Sequence, residues 1–132
     1  MKKNALVIML ISLITLIFIA ACNGNQKKDD FLTPYLTQEN KSFSILILSE
    51  NDRFFEQTKV LEDIYKENMT SISKAGVIKK DSKEGDRLKE DLKINTYPSY
   101  ILLDNKKVLI ISENIEQFKT ESKQIIEEIV NK

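Results

Sequence analysis

Residues 42–49 read SFSILILS, five bulky apolar side chains in eight positions with no charge among them. A half-buried strand would alternate apolar and polar residues; this run does not. It predicts a central β-strand buried on both faces, and therefore a sheet covered by helices on either side. Asn51 stands where it would cap a following helix. Phe54, Thr58, Leu61 and Tyr65 then recur at helical spacing, with Phe55 and Ile64 widening the stripe, so 52–68 reads as an amphipathic helix. Residues 71–78 form a second strand, interrupted by Lys74 and Gly76.

Asp81, with Glu84 three residues later, opens a short helix through Leu92 that faces Leu88 and Leu92 inward. Pro98 introduces the apolar run 100–103, residues 104–107 (DNKK) form a turn, and 108–111 completes a hairpin. Asn114 caps the last helix, with Gln117 at the capping-box position. Ile115, Phe118, Ile125, Ile126 and Ile129 line one face of that helix. Residues 31–41 carry no clear period and are broken by Pro34, which leaves a loop or a short helical turn. The order is β-α-β-α-β-β-α. A parallel crossover followed by an antiparallel hairpin gives an α/β domain with a mixed four-stranded sheet.

The N-terminus is a different kind of segment. Lys2 and Lys3 precede an apolar block from Ala5 to Ala21, broken only by Ser12 and Thr15. These are the charged and apolar parts of an export signal, and Ala20 and Ala21 supply its small-residue end. The sole cysteine of the chain, Cys22, follows at once. Ile19-Ala20-Ala21-Cys22 resembles the lipobox of bacterial lipoproteins: an aliphatic residue, two small residues and a cysteine. That resemblance implies a diacylglyceryl group on the Cys22 thiol and cleavage before it. Residues 1–21 are then a signal peptide, 22–30 a lipidated cysteine with a polar tether, and 31–132 the folded domain. The implied location is the extracytoplasmic face of the cell membrane. An uncleaved anchor competes, since about 17 residues of helix span roughly 26 Å. An ordinary export signal with an accidental cysteine is the other alternative.

Residues 92–106, LKINTYPSYILLDNK, carry a second resemblance. They resemble the stretch of thioredoxins in which a helix ends, an Ile or Val stands four residues before a cis-proline, and Ser or Thr follows it. Ile94, Pro98 and Ser99 hold those positions. The resemblance spans about residues 42–132 and implies a thioredoxin-like fold. Thioredoxins carry Cys-X-X-Cys at the start of the helix after the first strand; here that place falls near Asn51-Asp52-Arg53-Phe54, without cysteine. Dithiol exchange has no nucleophile there, and an acylated Cys22 cannot replace it. In thioredoxin relatives the backbone before the cis-proline pairs with an extended peptide. By resemblance Asn51, Asp52, Arg53, Tyr97 and Pro98 border such a groove. The alternative, in which Pro98 merely opens an edge strand and Phe54 and Phe55 are core, stays open.

Other chemistry finds little support in the composition. The chain has no histidine, which removes the usual general base and zinc ligand. Its three glycines are too scattered for a phosphate-cradling loop. Adjacent carboxylates such as Glu62-Asp63 and Glu127-Glu128 point about 100° apart on a helix and make no site by themselves. Setting aside Lys2 and Lys3 leaves 18 basic against 20 acidic residues, which is no footprint for nucleic acid. The expectation is a monomeric, non-enzymatic binding or scaffold module without cofactor or metal. It would be held on the membrane by lipid on Cys22 and face an envelope protein or peptidoglycan. The alternatives are a structural, peptidoglycan-associated lipoprotein, or a non-catalytic accessory of an extracytoplasmic thiol-redox system.

Overall fold

The structure, a computed structural model, describes residues 31–67 and 70–132. The signal segment, Cys22 and the tether through residue 30 lie outside the described residues. The chain divides into two units, Met1–Thr33 and Pro34–Lys132, and the second holds every helix and strand described. These are β1 (Phe43–Ser49), α1 (Phe54–Glu67), β2 (Ile72–Lys79), α2 (Lys83–Leu92), β3 (Ser99–Leu103), β4 (Val108–Ser112) and α3 (Ile115–Val130). The sheet runs β2-β1-β3-β4, with β1 parallel to β2 and antiparallel to β3, and β3 antiparallel to β4. The predicted order and mixed sheet hold.

Every residue of β1 is buried, as its unbroken apolar run requires of a strand flanked on both edges and both faces. Its side chains alternate between two cores. Phe43, Ile45 and Ile47 join Tyr100 and Leu102 beneath α1 and α3, which contribute Leu61, Ile64, Phe118 and Ile126. Leu46 and Leu48 point the other way, as do Ile101 and Leu103, toward the face that α2 covers with Leu88. Residues 34–41 complete the domain as turns and bends. Thr37 N–H donates to the Asp104 carbonyl at 3.3 Å, and its hydroxyl donates to the Ser42 carbonyl at 2.9 Å.

Three sequence expectations need correction. The inward stripe of α1 is centred on Gln57, Leu61 and Ile64, not on the Phe54–Thr58–Tyr65 line. Phe55 is 84% exposed and Tyr65 37%. The reason is Gln57, a polar residue that is buried because the Tyr100 hydroxyl donates to its Oε1 at 3.2 Å. At about 100° per residue this turns Phe55 to the opposite side of the helix. The cap of α2 is Ser82, whose Oγ accepts from Gly85 N–H at 3.0 Å, rather than Asp81. Asn51 does not cap α1; its Nδ2 donates to Asp81 Oδ2 at 3.1 Å, and Gln57 N–H instead donates to the Arg53 carbonyl. Asn114 does cap α3, accepting from Glu116 and Gln117 N–H.

Ser44, the second residue of β1, has no exposed surface, and its hydroxyl has no hydrogen-bond partner. A buried unpaired hydroxyl costs about 1–3 kcal/mol. Ser44→Ala is therefore expected to leave stability unchanged or raise it by about 1 kcal/mol, read as a rise in the urea midpoint. A loss of that size would mean that the hydroxyl is paired.

Candidate functional site

The residues expected to border a groove lie in segments that meet at the C-terminal end of β1. In register, Ser49 of β1 stands beside Lys79 of β2, and Leu48 stands opposite Ser99 of β3. The loop 50–53 leaves β1 at that end, and Tyr97–Pro98 enters β3 at the same end. The Tyr97–Pro98 bond is cis. Ser99 Oγ donates to the Thr96 carbonyl at 2.6 Å, closing the bend around Pro98, and Tyr97 Oη donates to the Ile94 carbonyl at 3.4 Å. Loops at the carboxyl ends of parallel strands are the usual place for ligands in sheets of this kind.

Side chains link the two halves of the site. Lys80 N–H donates to the Ser49 carbonyl at 2.8 Å, which fixes the residue after β2 against the end of β1. Lys80 Nζ lies 5.8 Å from the centroid of the Tyr97 ring and donates to both carboxylate oxygens of Asp81 at 2.8 Å. Asp81 in turn accepts from Asn51 Nδ2. A continuous path of contacts thus runs from Tyr97 through Lys80 and Asp81 to Asn51. Asn51, Asp52 and Arg53 are exposed, whereas Tyr97 and Pro98 are half-buried.

At the start of α1 the Arg53 guanidinium closes on Glu56, with Nε and Nη2 donating to the two carboxylate oxygens at 3.0 and 2.8 Å. This hydrogen bonding raises the Arg53 pKa above its ordinary value and lowers that of Glu56. For a lowered carboxyl the sign is fixed: its contribution is present above the ordinary Glu pKa and is lost as pH falls through the lowered one. Both side chains are open to water, so the clasp orients the helix start more than it stabilises the fold. Below it, burial raises the Tyr100 phenol, with Arg53 opposing and Glu56 reinforcing the shift. Lys80 is raised by its hydrogen bond to Asp81, which is lowered by it.

The apolar part of the site was not read from the sequence as surface. Phe54 and Phe55 meet edge to face with centroids 5.7 Å apart, and Lys79 Nζ sits 5.1 Å from the Phe54 centroid. Phe54 is half-buried, and Phe55 projects into solvent immediately before Glu56 and two residues after Arg53. The surface there combines one exposed aromatic ring with the charged Arg53 and Glu56 side chains. The signal that would have exposed Phe55 was the pairing of Gln57 with Tyr100, which spacing alone does not reveal. No group of three potential metal ligands occurs among the described residues, and no helix among them is long and apolar enough to cross a membrane.

No protein-family profile and no curated protein matches the chain by sequence. Its fold does have solved counterparts. Thioredoxin f2 of Chlamydomonas reinhardtii superposes with a TM-score of 0.56 at 18% identity, over 74% of this chain and 91% of that one. An uncharacterised thioredoxin-like protein of Clostridium perfringens gives 0.52 at 13% identity, over 81% and 90%. The thioredoxin of Malassezia sympodialis gives 0.52 at 12%, over 76% and 84%. At these identities the likeness is one of architecture: the chain has a thioredoxin-like fold.

Proposed function

We propose that this chain is a membrane-anchored extracytoplasmic lipoprotein whose thioredoxin-like domain binds a polypeptide and performs no thiol chemistry. One observation carries the reading. The helix start where thioredoxins hold their dithiol is here Asn51-Asp52-Arg53-Phe54, clasped by Arg53–Glu56 and topped by exposed Phe55, beside the cis bond before Pro98. The sole cysteine of the chain, Cys22, lies in the lipobox-like run and is the lipid attachment point in this account. A single thiol, once acylated, cannot form the internal disulfide that a two-electron exchange requires. What remains at the groove is capture of an extended peptide through backbone hydrogen bonds, with an aromatic contact to add affinity.

The test is a turnover assay on the full chain in detergent, with insulin disulfide as substrate and dithiothreitol at limiting concentration. Reduction at the rate of the reagent alone is expected. Catalytic acceleration would overturn the non-catalytic reading and require a thiol to be free.

A further inference from the structure

The two edges of the sheet are guarded unequally. β4 is a five-residue strand that runs almost directly into the capped start of α3. β2 is eight residues long, contains no proline, and pairs on one side with β1. Among the described residues no strand covers its outer side, so a row of backbone donors and acceptors is left free. Proteins usually protect such an edge with an outward lysine. Here Lys74 is turned back over the sheet, its Nζ donating to the Leu36 and Pro34 carbonyls at 2.6 and 3.2 Å. The middle of the strand is Ala75-Gly76, which lets another backbone approach closely.

Open clefts flank this edge on both faces of the sheet. On the α1 face, Thr58, Glu62, Tyr65, Ser73 and Ala75 line a cleft of about 330 Å³. On the α2 face, Tyr35, Leu46, Gly76, Ile78 and Glu84 line one of about 240 Å³. An added strand sends alternate side chains to the two faces and would fill both.

We infer that the β2 edge pairs with the β2 edge of a second copy of this chain, antiparallel and centred on Gly76, to make a continuous eight-stranded sheet. The occupant is chosen by charge. Pairing about Gly76 places Ser73 opposite the second copy's Lys79, and Lys74 opposite its Ile78. Lys79 of each copy then reaches the α1-face cleft of the other, which Glu62 lines. A two-fold axis normal to the sheet repeats this attraction, so the edge is complementary to itself. It also keeps the α1 face of both copies on one side, so that Tyr65, 37% exposed in one copy, is covered.

Residue 76 lies on the axis, and directly opposed residues of antiparallel strands have Cα atoms about 4.5–5.5 Å apart, within the disulfide range. A Cβ at Gly76 would meet only Leu46 Cδ2, at 3.8 Å, so Gly76→Cys fits the fold. In the full chain carrying Cys22→Ser, so that residue 76 holds the sole thiol, mild oxidation is expected to yield a disulfide-linked dimer. Ile111→Cys on β4 should yield little. Lys79→Glu should lower the dimer yield at limiting concentration about ten-fold, and Glu62→Lys added to it should restore the yield. Sedimentation of the unmodified full chain in detergent should give two copies per particle. Equal yields at residues 76 and 111, disulfides to a different polypeptide, or a single copy per particle at all concentrations would each overturn the inference.

Discussion

Replacing Cys22 by serine is expected to abolish incorporation of labelled palmitate into the protein in a bacterial host. The effect should be complete rather than graded. Acylation needs the thiol, and Cys22 is the only one in the chain. Each buried methylene contributes about 0.8 kcal/mol to anchoring, so a single acyl chain holds marginally and two hold stably. The unmodified protein should therefore stay with membranes through high-salt and carbonate washes. With a near-balanced charge outside the signal, net electrostatic attraction to anionic lipid is too weak to replace the anchor. Label is the better readout than location, because a signal segment left uncleaved in the variant would itself hold the chain on the membrane. Label persisting in Cys22→Ser would contradict the lipoprotein reading.

Truncating Phe118 to alanine should be the most damaging single change to the folded domain. The ring has no exposed surface and packs 5.6 Å from the Tyr100 ring, centroid to centroid, at the junction of α3 with β3. Phe→Ala at such a site costs about 3–5 kcal/mol, a large part of the 5–15 kcal/mol that a domain of this kind holds in total. The loss should also reach the start of α1. Tyr100 packs against Phe118 on one side and holds Gln57 on the other, and Gln57 sets the rotation of α1 that turns Phe55 outward. Urea unfolding should show a much lower midpoint with little change of slope. A loss below about 1 kcal/mol would mean that α3 does not close the core as described.

Most of the fold was legible because its strongest signals are local. The apolar run of β1, the turn at Asp104–Lys107 and the Asn114 cap each depend on neighbours in sequence, and each stands where the spacing predicts it. The rotation of α1 was not legible, since it depends on a hydrogen bond between Gln57 and a residue 43 positions away. Hydrophobic spacing places Phe55 on the inward stripe and gives no signal for Gln57. The α2 cap was misplaced by one residue for a similar reason: Asp81 is held by Lys80 and Asn51, leaving Ser82 to bond Gly85 N–H. The resemblance of residues 92–106 to thioredoxins raises the question of the Tyr97–Pro98 isomer and does not decide it; the folded chain has the bond cis. The outward turn of Phe55 depends on tertiary packing and appears only in the folded chain.

Capture of a polypeptide beside Asp52 and Tyr97 is the property that separates a binding module from a structural lipoprotein. The direct measurement places a photo-crosslinking amino acid at Tyr97, and separately at Asp52, in the full chain on its membrane, with Glu127 on the exposed side of α3 as control. A discrete polypeptide adduct is expected from both groove positions and not from the control, and Phe55→Ala should weaken it severalfold. Labelling no stronger at Tyr97 and Asp52 than at Glu127, or adducts to peptidoglycan alone, would contradict a peptide-binding groove and leave a thioredoxin-like domain with a structural role in the envelope.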